Sequence, residues 1–161
     1  MNNSTTIYVV HDEPIGRSAD NYIARIDLAA YGLKGQVEQV WLRKGDDDTY
    51  EVRCIPFCAY GLAYLDLVRL GDGGVYVTSI VKRSGNRVFR ILLSVSSDVD
   101  SMRCSIEEKL SDLGLMREWN KSRHVAIDVP PGADVSALMR VLDQGAREGR
   151  IVYEWGDVVG F

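Results

Sequence analysis

Residues 87–155 alternate between two hydrophobic rhythms, a period of two and a helical period, and the order of those rhythms leaves few folds open. Arg87–Val95 (RVFRILLSV) is apolar and extended. Asp98, Asp100 or Ser101 can then cap a helix running to about Leu113, with Met102, Ile106, Leu110 and Leu113 on one face and Gly114 as its stop. Leu115–Trp119 and His124–Val129 alternate in period two and are joined by a turn at Asn120-Lys121. Pro130-Pro131-Gly132 ends that second strand. Asp134 opens a second helix, carrying Val135, Leu138, Met139, Leu142 and Ala146 and ending at Gly149, and Ile151–Trp155 is the last strand. The order β-α-β-β-α-β is that of a ferredoxin-like unit, in which right-handed crossovers set both helices on one face of a four-stranded antiparallel sheet. Its strands are apolar on both faces, so the N-terminal barrel is expected to cover the second face.

The first half is punctuated differently. Ile7–Val10 is a short apolar run, and Tyr22–Leu28 alternates with Ala24, Ile26 and Leu28 on one side. Val37–Lys44 and Tyr50–Ile55 make a hairpin around Gly45-Asp46-Asp47-Asp48, because Gly permits positive φ and Asp side chains bond back to the turn backbone. Pro56 has no N–H to donate, so the ladder ends there. Leu62–Leu70 bends into a strand at Asp66, and the turn Gly71-Asp72-Gly73-Gly74 leads into the β-branched run Val75–Lys82. Short strands between glycine turns predict a small, partly closed barrel. The fold class is therefore α+β. Residues 1–84 form a β-rich, barrel-like subdomain, residues 85–161 a ferredoxin-like βαββαβ subdomain, and the two pack as one unit.

At 161 residues the chain can bury a sizeable core without disulfides or metals. No apolar run reaches the roughly 18 residues of a membrane helix, and the opening MNNSTTIYVVHDEP lacks the basic and apolar regions of a signal peptide, so the expectation is a soluble, cytoplasmic protein. Cys54, Cys58 and Cys104 then read as reduced thiols. The net charge of −4 disfavours nucleic acid as a partner. Within it, residues 1–81 hold 7 Lys and Arg against 11 Asp and Glu, while residues 82–161 hold 12 of each.

Several groups of residues could carry chemistry. Lys82, Arg83, Arg87 and Arg90 surround a Ser84-Gly85-Asn86 turn, a basic patch able to hold a phosphate or a partner's carboxylate. The competing and favoured reading is a hairpin turn whose arginines pair with nearby aspartates. Cys54, Cys58, His11 and His124 do not form the two close ligand pairs of structural zinc, so no metal is expected. A Cys58 nucleophile with His124 as its base is possible in residue type, with nothing in the spacing to bring them together. Asp66, flanked by leucines, reads as a turn aspartate accepting backbone N–H bonds. Asp46, Asp47 and Asp48 lack further carboxylates at ligand spacing and read as a solvated hairpin tip. The Gly71–Gly74 turn has no Lys or Ser/Thr of a phosphate loop, and no cofactor is expected.

Ile55-Pro56-Phe57, Ala59-Tyr60-Gly61, Asp66-Leu67-Val68 and Arg83-Ser84-Gly85-Asn86-Arg87 together resemble a bacterial domain-of-unknown-function family, number four-two-six-five, over roughly residues 22 to 158. One position departs from its pattern: a Gly before the aspartate is usual, and Leu65 stands here. The resemblance implies a small soluble bacterial protein, sometimes encoded near toxin and immunity genes, and it implies no reaction.

The functional expectation is a non-catalytic, immunity-type binding protein that occludes a cognate bacterial toxin domain, with a nuclease as the favoured kind. An acidic surface is steered to the basic cleft of an enzyme that cuts polyanions. The expected contacts are Asp46, Asp47 and Asp48, with Trp41 and Tyr50 as anchors. The alternatives are an RNA-binding or regulatory module using the basic patch, and a small enzyme using Cys58, His124 or Asp66.

Overall fold

The computed structural model describes residues 5–96 and 98–157, which form two sheets and two α-helices. The first sheet has six strands: β1 (Ile7–Val9), β2 (Asn21–Asp27), β3 (Gln36–Lys44), β4 (Tyr50–Val52), β5 (Leu67–Leu70) and β6 (Val77–Lys82). The nine-residue β3 organises it. One edge of β3 pairs antiparallel with β2 from Val37 to Arg43. Its other edge is shared, first by β1, parallel at Gln36–Glu38, and then by β4, antiparallel from Leu42. Ala24, Ile26, Val40, Leu42, Val52 and Val68 point to the concave side and make one core cluster. The sheet curls until β2 meets the chain ahead of β6, but the contact is a single parallel bridge, Arg25 to Tyr76, with Arg25 N–H donating to Val75 O at 2.8 Å. The expected barrel is therefore not closed. The Gly71–Gly74 turn delays β6 to Val77, and too few residues lie beside β2 to build a ladder.

The second sheet consists of β7 (Arg87–Leu93), β8 (Arg117–Asn120), β9 (His124–Val129) and β10 (Ile151–Trp155) in the order β10-β7-β9-β8, every pair antiparallel. Helix α1 (Val99–Asp112) follows β7, and α2 (Ser136–Arg147) follows β9. Phe89, Ile91, Leu93, Val125 and Ile127 meet Met102, Ile106, Leu110, Leu138 and Leu142 in the main core. The expected caps are modest: Asp134 accepts from Ser136 N–H at 2.8 Å, and the Asp98 side chain turns to Arg150 at 3.2 Å. Neither helix is long and apolar enough to cross a membrane.

Residues 53–66 leave the first sheet at β4 and return to it at β5 without regular structure, crossing the second sheet on the way, and Ile55, Phe57 and Ala63 lay a third small core against Val88 and Ala126 on the helix-free face of that sheet. The expected cover is thus supplied by a connecting segment. It stops short of Leu92 and Val152, which stay 44% and 64% exposed. The expected strand to Ile55 ends at Val52 for the same reason: Cys54 turns away, and its Sγ takes the Trp41 N–H at 3.3 Å.

Asp66 closes the segment, accepting from Ala63 N–H at 3.0 Å and Ser84 N–H at 2.7 Å. The turn this requires puts Leu65 at φ 67, a left-handed conformation that costs a side-chain-bearing residue about 1–2 kcal/mol. A glycine at this position would adopt the same conformation without that cost. Leu65→Gly is expected to be about 1 kcal/mol more stable than Leu65→Ala, the reverse of the usual order, in matched urea denaturation curves.

Candidate functional site: the junction between the sheets

Backbone N–H groups of an irregular buried segment need acceptors that no ladder supplies. Two carboxylates provide them. Glu38, buried on β3, accepts from the N–H groups of Phe57 at 2.5 Å, Cys58 at 3.0 Å and Ala59 at 2.8 Å. Glu118, buried on β8, accepts from Ile15 at 2.9 Å and Ile55 at 3.0 Å. Two buried anions are costly without a counter-charge. His11 lies between them, Nδ1 at 2.5 Å from Glu118 and Nε2 at 3.1 Å from Glu38, its ring stacked on Phe57 at 4.3 Å. Facing a carboxylate at each nitrogen, the ring donates from both as imidazolium. Burial alone would lower its pKa, but the Cys54 sulfur and the two carboxylates overcome that and hold it well above 6.5. Burial keeps the Cys54 thiol itself protonated, so the charge that His11 faces at neutral pH is that of the carboxylates. For Glu38 burial pushes upward, and its bonds to His11 and to the segment's N–H groups bring the net shift below the usual glutamate value.

Arg90 holds the same segment from the second sheet. Buried on β7, it donates to Pro56 O at 3.2 Å and to Ala59 O, and pairs with Glu154 at 3.3 Å. Its guanidinium lies 4.9 Å from the centre of the Tyr60 ring. Beside it opens a cleft of about 310 Å³ whose lining includes Tyr31, Cys58, Tyr60, Leu92, His124 and Val152.

This cleft brings Cys58 and His124 together, which nothing in their spacing foretold, while Asp66 lines a different cavity beside Arg83 and Arg87. The electrostatics do not activate the pair. Burial, followed by the Glu38 charge, pushes the Cys58 thiol up to about 12, and burial with the neighbouring Arg90 lowers the His124 pKa. In the native protein at pH 8, iodoacetamide is expected to alkylate the exposed Cys104 and to leave Cys58 and the buried Cys54 unmodified until urea unfolds the chain, as peptide mass spectrometry will show.

The remaining expected site residues are scattered. Asp46, Asp47 and Asp48 are exposed at the hairpin tip, Asp47 and Asp48 at positive φ, and the tip is tied by Gly45 N–H to Thr49 O at 2.9 Å and by the Thr49 hydroxyl to Asp46 O at 2.6 Å. Tyr50 pairs with Lys44 in register, one residue out of phase with Trp41, so the two rings project from opposite faces of the sheet. The basic patch separates: Lys82 is exposed, Arg83 bonds Gly61 O at 2.8 Å, Arg87 pairs with Asp157 over the Trp155 ring, and Arg90 is inside the protein. Period-two alternation explains Arg90, because it shares its side of β7 with Val88, beneath the crossing segment. Among the described residues no three His, Cys, Asp or Glu side chains are arranged to hold a metal.

The residues that organise the junction, His11, Glu38 and Glu118, were not singled out as a group from sequence. Their signal was present: Glu38 occupies an inward position of an alternating strand beside Val40 and Leu42, where a carboxylate needs a buried partner.

The fold is similar to that of a solved structure described as a novel crystal structure of a hypothetical protein from Neisseria gonorrhoeae, with a TM-score of 0.63 at 18% identity, over 90% of this chain and 98% of that one. No curated protein matches the chain. A family model described as a domain of unknown function matches residues 38–153, a span holding the Ile55-Pro56-Phe57 segment, Asp66, the Arg83–Arg87 turn and both helices. The chain belongs to that family, DUF4265.

Proposed function

We propose that this protein is a non-catalytic binding protein of the immunity type, which neutralises a cognate bacterial toxin domain, a nuclease by preference, by covering its active site in the cytoplasm. The observation that carries the reading is the hairpin tip. Asp46, Asp47 and Asp48 are three exposed carboxylates on a turn already ordered by Thr49, so little conformational freedom is lost when they enter a basic cleft. The buried ionisable groups support it too, since His11, Glu38, Glu118 and Arg90 are committed to holding the crossing segment. We read residues 87–155 as a ferredoxin-like scaffold for this work; the order β10-β7-β9-β8 with a helix after β7 and after β9 supports that assignment.

The test is titration calorimetry with the purified product of the adjacent gene. A complex is expected that weakens at least tenfold when Asp46, Asp47 and Asp48 are all changed to Asn, through slower association at low salt. A tip-substituted variant that binds and protects as well as the parent would refute the contact, and no complex at low salt would refute the function.

A further inference from the structure

The registers define a second surface, on the convex side of the first sheet. Val37, Gln39, Trp41 and Arg43 alternate outward along β3, and the pairs Tyr8 with Val37, Ile23 with Trp41, and Arg25 with Gln39 and Tyr76 bring four more side chains to that face. Tyr8, Ile23 and Tyr76 are 44%, 41% and 44% exposed there, and Trp41 is half-buried. Arginines lie over two of the rings, Arg17 at 5.3 Å from the Trp41 centroid and Arg25 at 5.5 Å from that of Tyr8.

The charge of this face is opposite to that of the half of the chain that builds it. Two of that half's acids, Glu38 and Asp66, are buried. On the convex face Glu51 is already paired by Arg43 and Arg53, which leaves Arg17 and Arg25 beside the rings and Asp27 at the rim. Tyr, Trp and Arg around exposed aliphatic side chains is the composition of energetically dominant contacts between proteins. A strand-binding surface for nucleic acid would instead run cations along a groove, and here the Ile23–Trp41 pair stands between Arg25 and Arg43.

We infer that the convex face of β1, β2 and β3 docks a protein partner whose contacting surface is acidic around an apolar centre. Trp41 and Ile23 fill the centre, and Arg17 and Arg25 pair with the acidic rim. This rests on reading the chain as a protein-binding protein and adds a surface and a partner chemistry to the hairpin tip.

The probe is a displayed library of random twelve-residue peptides selected on the whole chain. The expected binders combine Asp and Glu with an apolar anchor. Their affinity should fall about 30-fold in Trp41→Ala and in Arg25→Glu, remain unchanged in the Asp46→Asn, Asp47→Asn, Asp48→Asn variant, and fall as well in Tyr8→Ala and Ile23→Ala variants whose thermal melts match the parent. Binders without acidic enrichment, binders indifferent to Trp41 and Arg25, no binders at all, or tighter capture of a single-stranded oligothymidine by the same face would each overturn the inference. The two proposals fail separately. Peptides that need Trp41 and Arg25, with no toxin complex, leave the face standing without the immunity reading. A toxin complex that depends on the aspartates alone does the reverse.

Discussion

Replacing His11 by alanine is expected to destabilise the fold by about 3–5 kcal/mol near pH 6, measured as the loss of unfolding free energy in urea, because it leaves two buried carboxylates facing each other without their shared cation. The pH dependence has a definite sign. Glu38 titrates below its ordinary 4.5 in the folded protein, so its contribution is complete above that value and is lost as pH falls through the lowered folded pKa. His11 titrates well above 6.5, so its contribution is complete below 6.5 and is lost as pH rises through the raised folded pKa. The cost of His11→Ala is therefore greatest between about 4.5 and 6.5 and shrinks on both sides, where the parent loses the same interaction by titration. A cost that is flat from pH 4 to pH 9 would show that the ring acts through its stacking on Phe57 and not through its charge.

Arg90→Met is expected to cost about 3 kcal/mol, less than the loss of His11. Methionine keeps most of the buried volume but leaves the carbonyls of Pro56 and Ala59 without donors inside the protein. Glu154, the third partner, is partly exposed and can be rehydrated, which is why the loss stays below that of the buried triad. The variant should also loosen the crossing segment locally. Hydrogen exchange of the Phe57, Cys58 and Ala59 amides, which Glu38 accepts, is the measurement, and exchange as slow as in the parent would remove Arg90 from the junction.

Much of the secondary structure is legible in the chain because local rhythm and punctuation decide it. His124–Val129 and Ile151–Trp155 fall at their expected bounds, and α1 and α2 lie within a residue or two of theirs. Asp66 behaves as a leucine-flanked aspartate must, accepting backbone N–H bonds. The junction was harder to read. Its members come from residues 11, 38, 90 and 118, on one loop and three separate strands, and nothing local pairs an inward glutamate with a histidine so far away in the chain. The basic patch divides for a related reason. Arg83, Arg87 and Arg90 are close in sequence, but strand alternation and the crossing segment send one to solvent-facing pairs and another into the protein.

The chain by itself determined where it is extended, where it is helical and where it must turn, since those choices depend on side-chain periodicity and on the conformations open to Gly, Pro and Asp. Only the tertiary structure decided which charges are surface and which are scaffold. That difference depends on desolvation and on partners many residues distant, and it set Arg90, one of four cations around a single turn in the chain, inside the molecule with Glu38.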